Sequence, residues 1–429
     1  MTGLQSWTIN RGRSQVLSKN EAGKAQLKFI DTDGAYDPTN TASPLYGEMD
    51  PMAQAAIALT NPVDQSVSTL FRGDIVNLNY DLDVSERFAI VTVDLMDAFD
   101  LFARTPMFAP RFGDSAENAV ASLTGYSTGD VYFAGAGGQY GATVDHWGPG
   151  ANDYHIGRLH RILNQLGWPA GRRIIFSGNV ALQEVIYDRG TNVLEAMYDC
   201  VDAEFPGVAN LFMSKTGEVI FHGRHARFNP GAYASYGIRE WNAGDLSYTS
   251  TTPNYAPIAK IVYDKGNEII NSVLSLPQGV SETDVVPLSL VYEDQVSIGK
   301  YGLHTEEFKD LLVYMGEKLP RNNMLVETKL FAQYYVDNFK SPYPRVSQVT
   351  FKVKDPGHPN ALALWNLICG VEIGDVINIY TDHMGDGGFA EAFFVEGISY
   401  TAKPMKNNYH EIELTLDLSP AIYYASDPF

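Results

Sequence analysis

The chain has 429 residues, of which 45% are hydrophobic and 19% are charged, and its formal net charge is -20. This length predicts roughly three or four domains, and the composition is that of a folded protein rather than a disordered one. The negative charge argues against tight, sequence-independent binding to nucleic acid, because such binding depends on many lysine and arginine contacts to phosphate. An acidic surface beside DNA repels it instead.

The two cysteines, Cys200 and Cys369, each lie in an apolar segment. We expect both to be buried free thiols, as in a protein that folds in a reducing cytoplasm. The N-terminus has no basic patch followed by an apolar run, so no signal peptide is predicted. No apolar stretch is long enough to span a bilayer, so no membrane insertion is expected.

The first 105 residues are typical of short strands joined by turns. Ala25, Leu27 and Phe29 alternate with polar residues, and further alternating stretches lie at 71–82 and 88–95. Alternation at period two places one set of side chains on the buried face of a strand. We therefore predict an N-terminal β-barrel domain over 1–105.

Residues 106–240 are predicted to form a mixed α/β middle domain. The glycine-rich stretch 134–150 is expected to be a long loop, either a gate or docking loop for a partner or a plain solvent-exposed insertion. Apolar residues at helical spacing predict a helix over 156–166. Asn192 with Glu195 forms a capping box that opens a second helix, and apolar residues on both sides of 214–217 indicate a hairpin.

Residues 241–429 are predicted to form a second β-barrel domain with an interleaved small α/β domain. Strands are expected at 258–263, 268–276, 346–353 and 372–379, and a helix is expected at 323–339. The fold class is therefore mainly β with α+β insertions, with two similar β-barrels and mixed α/β domains.

A strand pattern near one end of the chain recurs near the other end. Residues 71–75 and 89–95 recur in outline as residues 394–398 and 412–418, with a polar, turn-rich connection inside each copy. Two equivalent modules in one chain provide twice as many equivalent contacts as there are subunits. The pattern therefore indicates assembly rather than chemistry.

One catalytic motif is present in form, the nucleophile-elbow spacing Gly125-x-Ser127-x-Gly129. The elbow needs a strand before the serine and a helix after it. Here the preceding segment is predicted to be a helix and the following one a strand, and the candidate triad partners Asp145 and His146 lie in the glycine-rich loop. A plain turn is the better interpretation.

Three further motifs are weaker still. Asp31, Asp33 and Asp37 resemble a calcium loop but lack its closing glutamate, so a β-turn stabilised by aspartate side chains is favoured. His222 and His225 have zinc-ligand spacing without a third ligand nearby, which favours surface histidines. The glycines of 135–141 miss the dinucleotide fingerprint by one position. With 51 acidic residues, no carboxylate pair identifies a glycosidase. No catalytic, cofactor-binding or metal-binding residue is predicted, and the chain is not expected to be an enzyme.

Several segments together resemble the minor tail proteins of long-tailed bacteriophages (siphophages) that form the baseplate-hub or tail-tip hub family. The most specific match is Gly12-Arg13-Ser14 followed by the pattern that runs through 22–40. The other matching segments, in the same order as in the family, are 70–73, 268–273, 297–302, 395–400 and 416–420. Relatives with a cell-wall hydrolase carry it as an added domain, and none is expected here because the chain ends soon after the last match.

The resemblance implies a virion protein of the tail tip or baseplate, assembled in the host cytoplasm. It implies a homotrimer whose doubled barrels form a pseudo-sixfold ring that joins the sixfold tail to the threefold tip. The implied partners are the distal tail protein ring, the C-terminus of the tape-measure protein and the tail fibres or receptor-binding proteins. Phage DNA would pass through the ring non-specifically, and no cofactor is implied. A carbohydrate-binding adhesin and a cell-surface hydrolase acting through Ser127 or a carboxylate pair are the alternatives.

Overall fold

The structure is a computed structural model that describes most of the chain. The described residues are 3–14, 18–85, 88–107, 114–115, 131–133, 155–176, 178, 180, 182, 185–243, 258–264, 269–278, 291–313, 322–342, 345–353, 361–381, 389–404 and 410–424.

The described residues form strands along the whole chain, as the sequence predicts. The strands are β1 Leu4–Gly12, β2 Glu21–Asp31, β3 Gln54–Thr60, β4 Val67–Asp83, β5 Phe88–Met96, β6 Asp114–Ser115, β7 Val131–Phe133, β8 Arg173–Ile175, β9 Val185–Tyr187, β10 Asn210–Met213, β11 Val219–His222, β12 Glu240–Ala243, β13 Ile258–Asp264, β14 Ser272–Pro277, β15 Val291–Glu293, β16 Thr305–Leu311, β17 Arg345–Val353, β18 Val376–Thr381, β19 Phe389–Pro404 and β20 His410–Pro420.

The helices lie mainly between these strands. They are α1 Ala98–Arg104, α2 His155–Gln165, α3 Val193–Glu204, α4 His225–Phe228, α5 Gln295–Tyr301, α6 Asn322–Phe339 and α7 Ala361–Gly370, with 3₁₀ turns at Ala170–Arg172, Pro230–Tyr236 and Ala421–Tyr424.

The helices predicted at 156–166, from Asn192 and at 323–339 are confirmed, whereas the one predicted before Ser127 lies outside the described residues. The side chain of Asn192 accepts a hydrogen bond of 2.8 Å from the backbone N–H of Glu195, so α3 begins where the capping box predicts. The predicted hairpin is also confirmed, because β10 and β11 pair antiparallel across the turn. These features are local in sequence, and for that reason the sequence alone specifies them.

The largest element is an eleven-stranded sheet that contains strands from both ends of the chain. Its hydrogen-bonded order is β13-β17-β20-β19-β1-β2-β5-β4-β3, with β18 beside β19 and β12 beside β18. The antiparallel pairing of β1 with β19 joins the N-terminal strands to the C-terminal ones. Sequence reasoning did not predict this junction, because nothing local marks two strands almost 400 positions apart as partners.

Ten of the eleven strands form two five-strand modules with one topology, and β12 belongs to neither module. In the first module, β1–β5, the order is β3-β4-β5-β2-β1; in the second module, β13 with β17–β20, it is β18-β19-β20-β17-β13. If the strands of each module are numbered from one to five in chain order, both orders read 3-4-5-2-1, and every neighbouring pair is antiparallel.

A half-buried polar pair repeats at the same place in both modules. Gln26 donates to Asp94 at 2.8 Å in the first module, and Gln348 donates to Asp417 at 3.0 Å in the second. In each case the two residues are directly opposite partners, on β2 and β5 or on β17 and β20. This equivalence confirms the predicted match between the stretches 89–95 and 412–418.

The β-bulges of the two modules also coincide. The long third-to-fourth hairpin has a register shift between Ile75 and Asn77 in the first module and between Val395 and Gly397 in the second. Val395 therefore occupies the position of Ile75. The match of 71–75 with 394–398 is out of register by three residues in the structure, because the comparison assumed equal spacing to the next strand, whereas Ile75 lies 20 residues before its partner Leu95 and Val395 lies 23 residues before its partner Leu418.

The described strands confirm the mainly β class with large antiparallel sheets. In the described residues neither module closes on itself, since no pairing joins β1 to β3 or β13 to β18. The two closed barrels and the division at 105 and 240 remain predictions.

Two hydrophobic cores lie beneath these elements. One packs both modules of the large sheet together with α7, and includes Trp7, Phe29, Phe351 and Tyr400. The other packs α1, α2, α3 and α6. Both cysteines are buried free thiols, as predicted: Cys200 on α3 and Cys369 on α7.

Candidate functional site: the junction between the two modules

The junction between the modules is a six-residue antiparallel ladder between β1 and β19, from Trp7 opposite Ala402 to Gly12 opposite Gly397. Side chains on one face of the ladder are buried on both strands, since successive residues of a strand point to opposite faces. The rings of Trp7 and Tyr400 pack with centroids 6.2 Å apart. The junction is therefore part of the core.

Two glycines permit the close approach at one end of the ladder. Gly12 has φ +91°, and a Cβ atom there would lie 2.3 Å from the carbonyl oxygen of Glu396. A Cβ atom on Gly397 would lie 2.6 Å from the carbonyl oxygen of Arg13. Both distances are too short for a side chain, so only glycine fits at either position.

A buried ionic cluster lies immediately beside these glycines. Arg13 and Arg227 both bind the carboxylate of Glu396: the shortest contacts are 2.8 Å from Arg13 and 2.5 Å from Arg227. The hydroxyl of Ser419 donates to the same carboxylate at 2.6 Å. Desolvation opposes ionisation, but the two guanidinium groups outweigh it and lower the pKa of Glu396 from 4.5 to about 2.

A second ionic cluster forms around Arg11, on the buried face of β1. Arg11 donates to the carboxylate of Glu372 at 2.8 Å, and the backbone N–H of Lys215 donates to the other carboxylate oxygen at 2.9 Å. The ammonium of Lys215 donates to the carbonyl oxygens of Cys369 and Gly370, each at 2.7 Å. Desolvation lowers the pKa of Lys215 to about 8.

The two clusters connect three parts of the chain. Arg11 comes from β1 and Arg13 directly follows it, while Lys215 and Arg227 come from the α/β region between the modules. Glu396 comes from β19 of the second module, and Glu372 from the turn between α7 and β18. Such buried pairs fix geometry, because removing one partner leaves an uncompensated charge away from water. The arrangement holds the modules and the middle region in one relative position.

The charged residues of the two clusters were missed by sequence reasoning, which treated them as ordinary strand residues. A usable signal existed, because Arg11 and Glu396 stand at apolar-face positions of otherwise alternating strands. A charge at such a position indicates a buried partner.

Besides the outer edges of β3 and β12, two strand edges in this sheet have no partner in the described part of the chain. One is on β4, along the edge that faces β3. There β3 pairs only with Val67–Asp74, and the second half of that edge, beyond Ile75, has no strand partner. The other is the edge of β13 opposite β17. Leu82 on β4 is 52% exposed, which is high for a large apolar side chain in a strand.

The motifs with possible chemistry do not form a site in the described residues. Ser127, Asp145 and His146, together with the glycine stretches at 125–129 and 135–141, lie outside the described residues. The loop 134–150 and its suggested gate or docking role lie outside them as well. The described ranges contain no group of three or more His, Cys, Asp or Glu side chains placed to hold a metal ion.

The expectation that His222 is a surface residue is wrong. His222 is buried, and its ring lies 5.4 Å from each of the rings of Phe176 and Phe212. Desolvation lowers its pKa to about 3, so the ring is neutral at ordinary pH. His225 is half-buried at the start of α4. The alternation of β11 was too short a pattern to predict this burial.

The aspartate-stabilised turn after β2 is confirmed. The carboxylate of Asp31 accepts backbone N–H bonds from Gly34 at 2.9 Å, Ala35 at 3.1 Å and Tyr36 at 3.0 Å. Desolvation acts against ionisation, yet these N–H groups lower the pKa of Asp31. The carboxylate oxygens are used by the turn itself.

Comparison with known proteins defines a fold. No protein-family model and no curated protein matches the chain. The structure is similar to that of the tail protein from Neisseria meningitidis MC58, with 12% sequence identity, a TM-score of 0.51, and coverage of 99% of this chain and 94% of that one. This likeness establishes a shared fold with a tail protein.

Two further solved structures are similar to this one at lower scores. The Escherichia coli c3393 protein, described as a type VI secretion component similar to T4 bacteriophage tail proteins gp27 and gp5, has 8% identity and a TM-score of 0.47 over 100% of this chain and 75% of that one. Prophage tail protein gp18 from Listeria monocytogenes EGD-e has 12% identity and a TM-score of 0.41 over 97% and 90%. At these scores neither likeness defines the fold by itself.

No helix in the described residues is long and apolar enough to cross a membrane.

Proposed function

We propose that the chain is a structural hub protein at the tail tip or baseplate of a long-tailed bacteriophage, and that three copies form a ring of six modules. The observation that carries this proposal is the five-strand topology that occurs twice, side by side, in one sheet. A ring of three such chains is threefold as a protein and nearly sixfold as a set of modules. It therefore joins a sixfold tube to a threefold tip.

The ionic clusters at the junction support this role. A hub must hold its two modules in a fixed relation, since six modules form an even ring only when each meets the next at one angle. The buried contacts of Glu396 and Glu372 supply that rigidity. The shared fold with the Neisseria tail protein supports a place in the virion tail.

The proposed partners are the distal tail protein ring on one face, and the tail fibres or receptor-binding proteins at the tip. The C-terminus of the tape-measure protein and then the phage DNA pass along the axis. Part of the net charge of -20 lines that channel and keeps DNA from adhering. A neutral or basic channel in the assembled ring would contradict this assignment of the charge.

Electron microscopy of the purified chain mixed with the distal tail ring protein tests the proposal. We expect a threefold particle with six equivalent lobes around an axial opening, stacked on the sixfold ring. A particle without that opening, or with lobes of two unrelated shapes, would contradict a hub.

The variant Ser127→Ala separates the hub from a hydrolase. A hub with this variant assembles and infects as the wild type does, because Ser127 has no chemical role in it. Loss of a hydrolytic activity with assembly intact would favour the hydrolase. Binding of the isolated chain to a glycan array would favour the adhesin, since a hub binds no glycan.

A further inference from the structure

Two of the open strand edges of the sheet, on β13 and on the second half of β4, are equivalent to the two edges that meet inside the chain. We propose that β13 of one copy pairs antiparallel with the second half of β4 of another copy, in the register that β1 makes with β19. The proposal deepens the proposed function and rests on it, since it names the contact that closes the ring.

The first equivalence is between β13 and β1. Both strands have a register shift next to a buried phenylalanine: between Leu4 and Ser6 where β1 passes Phe29, and between Ile258 and Lys260 where β13 passes Phe351. The shared bulge aligns the two strands residue by residue. Val262 then takes the place of Thr8, because each lies opposite the glutamine of the repeated polar pair.

The second equivalence is between β4 and β19. In both strands the first half pairs with the third strand of the module, β3 or β18. In both, the bulge follows near the end of that pairing. Beyond the bulge, β19 receives β1, whereas the matching half of β4 receives no strand in the described part of the chain. The open edge of β4 is thus the position that β1 occupies on β19.

The two equivalences fix the register of the proposed contact. Counting from the bulges, Asn77 matches Gly397, so Asp81 matches Thr401 and Leu82 matches Ala402. Thr8 lies opposite Thr401 within the chain. The structure therefore places Val262 of one copy opposite Asp81 of another, with Ile261 opposite Leu82.

The side chains at this register are suited to pairing. In the existing junction the face with Trp7, Ile398 and Tyr400 is buried. The matching residues of the open edges are Ile261, Leu78 and Tyr80, which pack against the same core but remain partly exposed. A strand from a second copy would cover that apolar surface, as β1 does inside the chain.

Charge agrees with the same register. One step further along the ladder, Lys260 lies opposite Asp83, and both side chains are exposed in the single chain. Opposite charges directly across an antiparallel pair are favourable. A slip of one residue would separate them and would also turn the apolar face of β13 to solvent.

The contact is head-to-tail, because the edge given by one copy differs from the edge it receives. Head-to-tail contacts close into a ring when their rotation divides a full turn. Each chain would then supply one junction internally, β1 with β19, and one externally, β13 with β4. Three chains make six such junctions.

Disulfide trapping tests this contact. The variants Val262→Cys and Asp81→Cys are purified separately, mixed and oxidised, and covalent dimers are scored on a non-reducing gel. Directly opposite residues of an antiparallel pair have the Cα separation that a disulfide needs. We expect dimers in the mixture and none with either variant alone. Oxidation accumulates transient pairs, so the mixture reports the contact even when the ring dissociates in dilute solution.

Two control variants calibrate the result. The double variant Thr8→Cys with Thr401→Cys places cysteines at the equivalent positions of the internal junction, and it must form a disulfide within one chain. The variant Val67→Cys, an exposed position on the paired half of β4, must give no dimer with Val262→Cys. Cys200 and Cys369 are buried and stay reduced.

The outcomes separate this contact from the proposed function. Dimers in the Val262 and Asp81 mixture support the contact. A threefold ring by microscopy without those dimers overturns the contact and leaves the hub standing. If neither ring nor dimer forms while the Thr8 and Thr401 control succeeds, both proposals are overturned.

Discussion

Glu396 is a carboxylate that is buried against two arginines from different parts of the chain, Arg13 and Arg227. All three groups lose their water on folding, so their attraction must offset a large desolvation cost. The carboxylate also accepts a hydrogen bond from the hydroxyl of Ser419, which satisfies a further lone pair. The cluster lies beside the ladder that joins the modules, so its integrity bears directly on their relation.

Glu396→Gln is expected to lower the free energy of unfolding by about 3–5 kcal/mol, because it leaves two buried guanidinium groups without a counter-charge. Urea denaturation at neutral pH measures the loss. The matched control is Glu413→Gln, which removes the half-exposed partner of Lys352 and is expected to cost no more than about 1 kcal/mol. Equal losses in the two variants would contradict the role given to the cluster.

The low pKa of Glu396 predicts how the stability of the protein changes with pH. Its pKa falls from 4.5 to about 2 on folding, so its stabilisation is fully present above pH 4.5 and is lost as the pH falls toward 2. This difference corresponds to about 3 kcal/mol. The stability gap between the wild type and Glu396→Gln should shrink over that window, as measured by urea denaturation at several pH values. A stability gap that stays constant between about pH 6 and about pH 2.5 would contradict the low pKa assigned to Glu396.

At the scale of single residues, sequence reasoning predicted the roles of residues whose partners lie a few positions away in the sequence. Asp31 binds backbone N–H groups a few positions on, and Asn192 caps its own helix, so spacing alone indicated both. The partners of Arg11, Arg13 and Glu396 come from distant segments. No local pattern identifies them, and His222 was misjudged for the same reason.

At the scale of elements, the ladder between β1 and β19 depends on the absence of a side chain at one position. Gly12 has φ +91°, a conformation that costs a residue with a Cβ atom roughly 1–2 kcal/mol. The Cβ atom would in addition meet the carbonyl oxygen of Glu396, which belongs to the opposite strand and does not move freely. The glycine thus sets how closely the modules approach.

Gly12→Ala is expected to lower the free energy of unfolding by roughly 2–5 kcal/mol, from backbone strain together with displacement of β19. Gly47→Ala is the control, because Gly47 has φ +77° but no atom within 4 Å of its Cβ position. It should cost only the strain, roughly 1–2 kcal/mol. Thermal or urea denaturation compares them. Similar losses in the two variants would mean that the close approach of β1 and β19 adds nothing to the cost of the Gly12 substitution.

The elements were largely predictable from sequence, whereas their connection was not. Period-two alternation indicates β2, β4, β5, β13 and β17, and helical spacing indicates α2, α3 and α6. The pairings of β1 with β19 and of β12 with β18 join segments far apart in the chain, and pattern alone cannot choose such partners. The repeated segment near 412–418 was found because sequence similarity survives there, while the longer connection between β19 and β20 shifted the match near 394–398.

At the scale of the whole molecule, the chain is two copies of one five-strand module held at a fixed junction. The junction repeats only if other copies supply it, since the chain ends its own series with one open edge on β13 and one on β4. Those edges make a closed assembly of several copies the expected state.

The most direct measurement is the number of chains in the closed assembly, counted by native mass spectrometry of the purified hub or of tail tips that contain it. The account predicts three chains, and therefore six modules around the axis. Two, four or six chains in the closed assembly would contradict it, because the assembly would then hold four, eight or twelve modules instead of six.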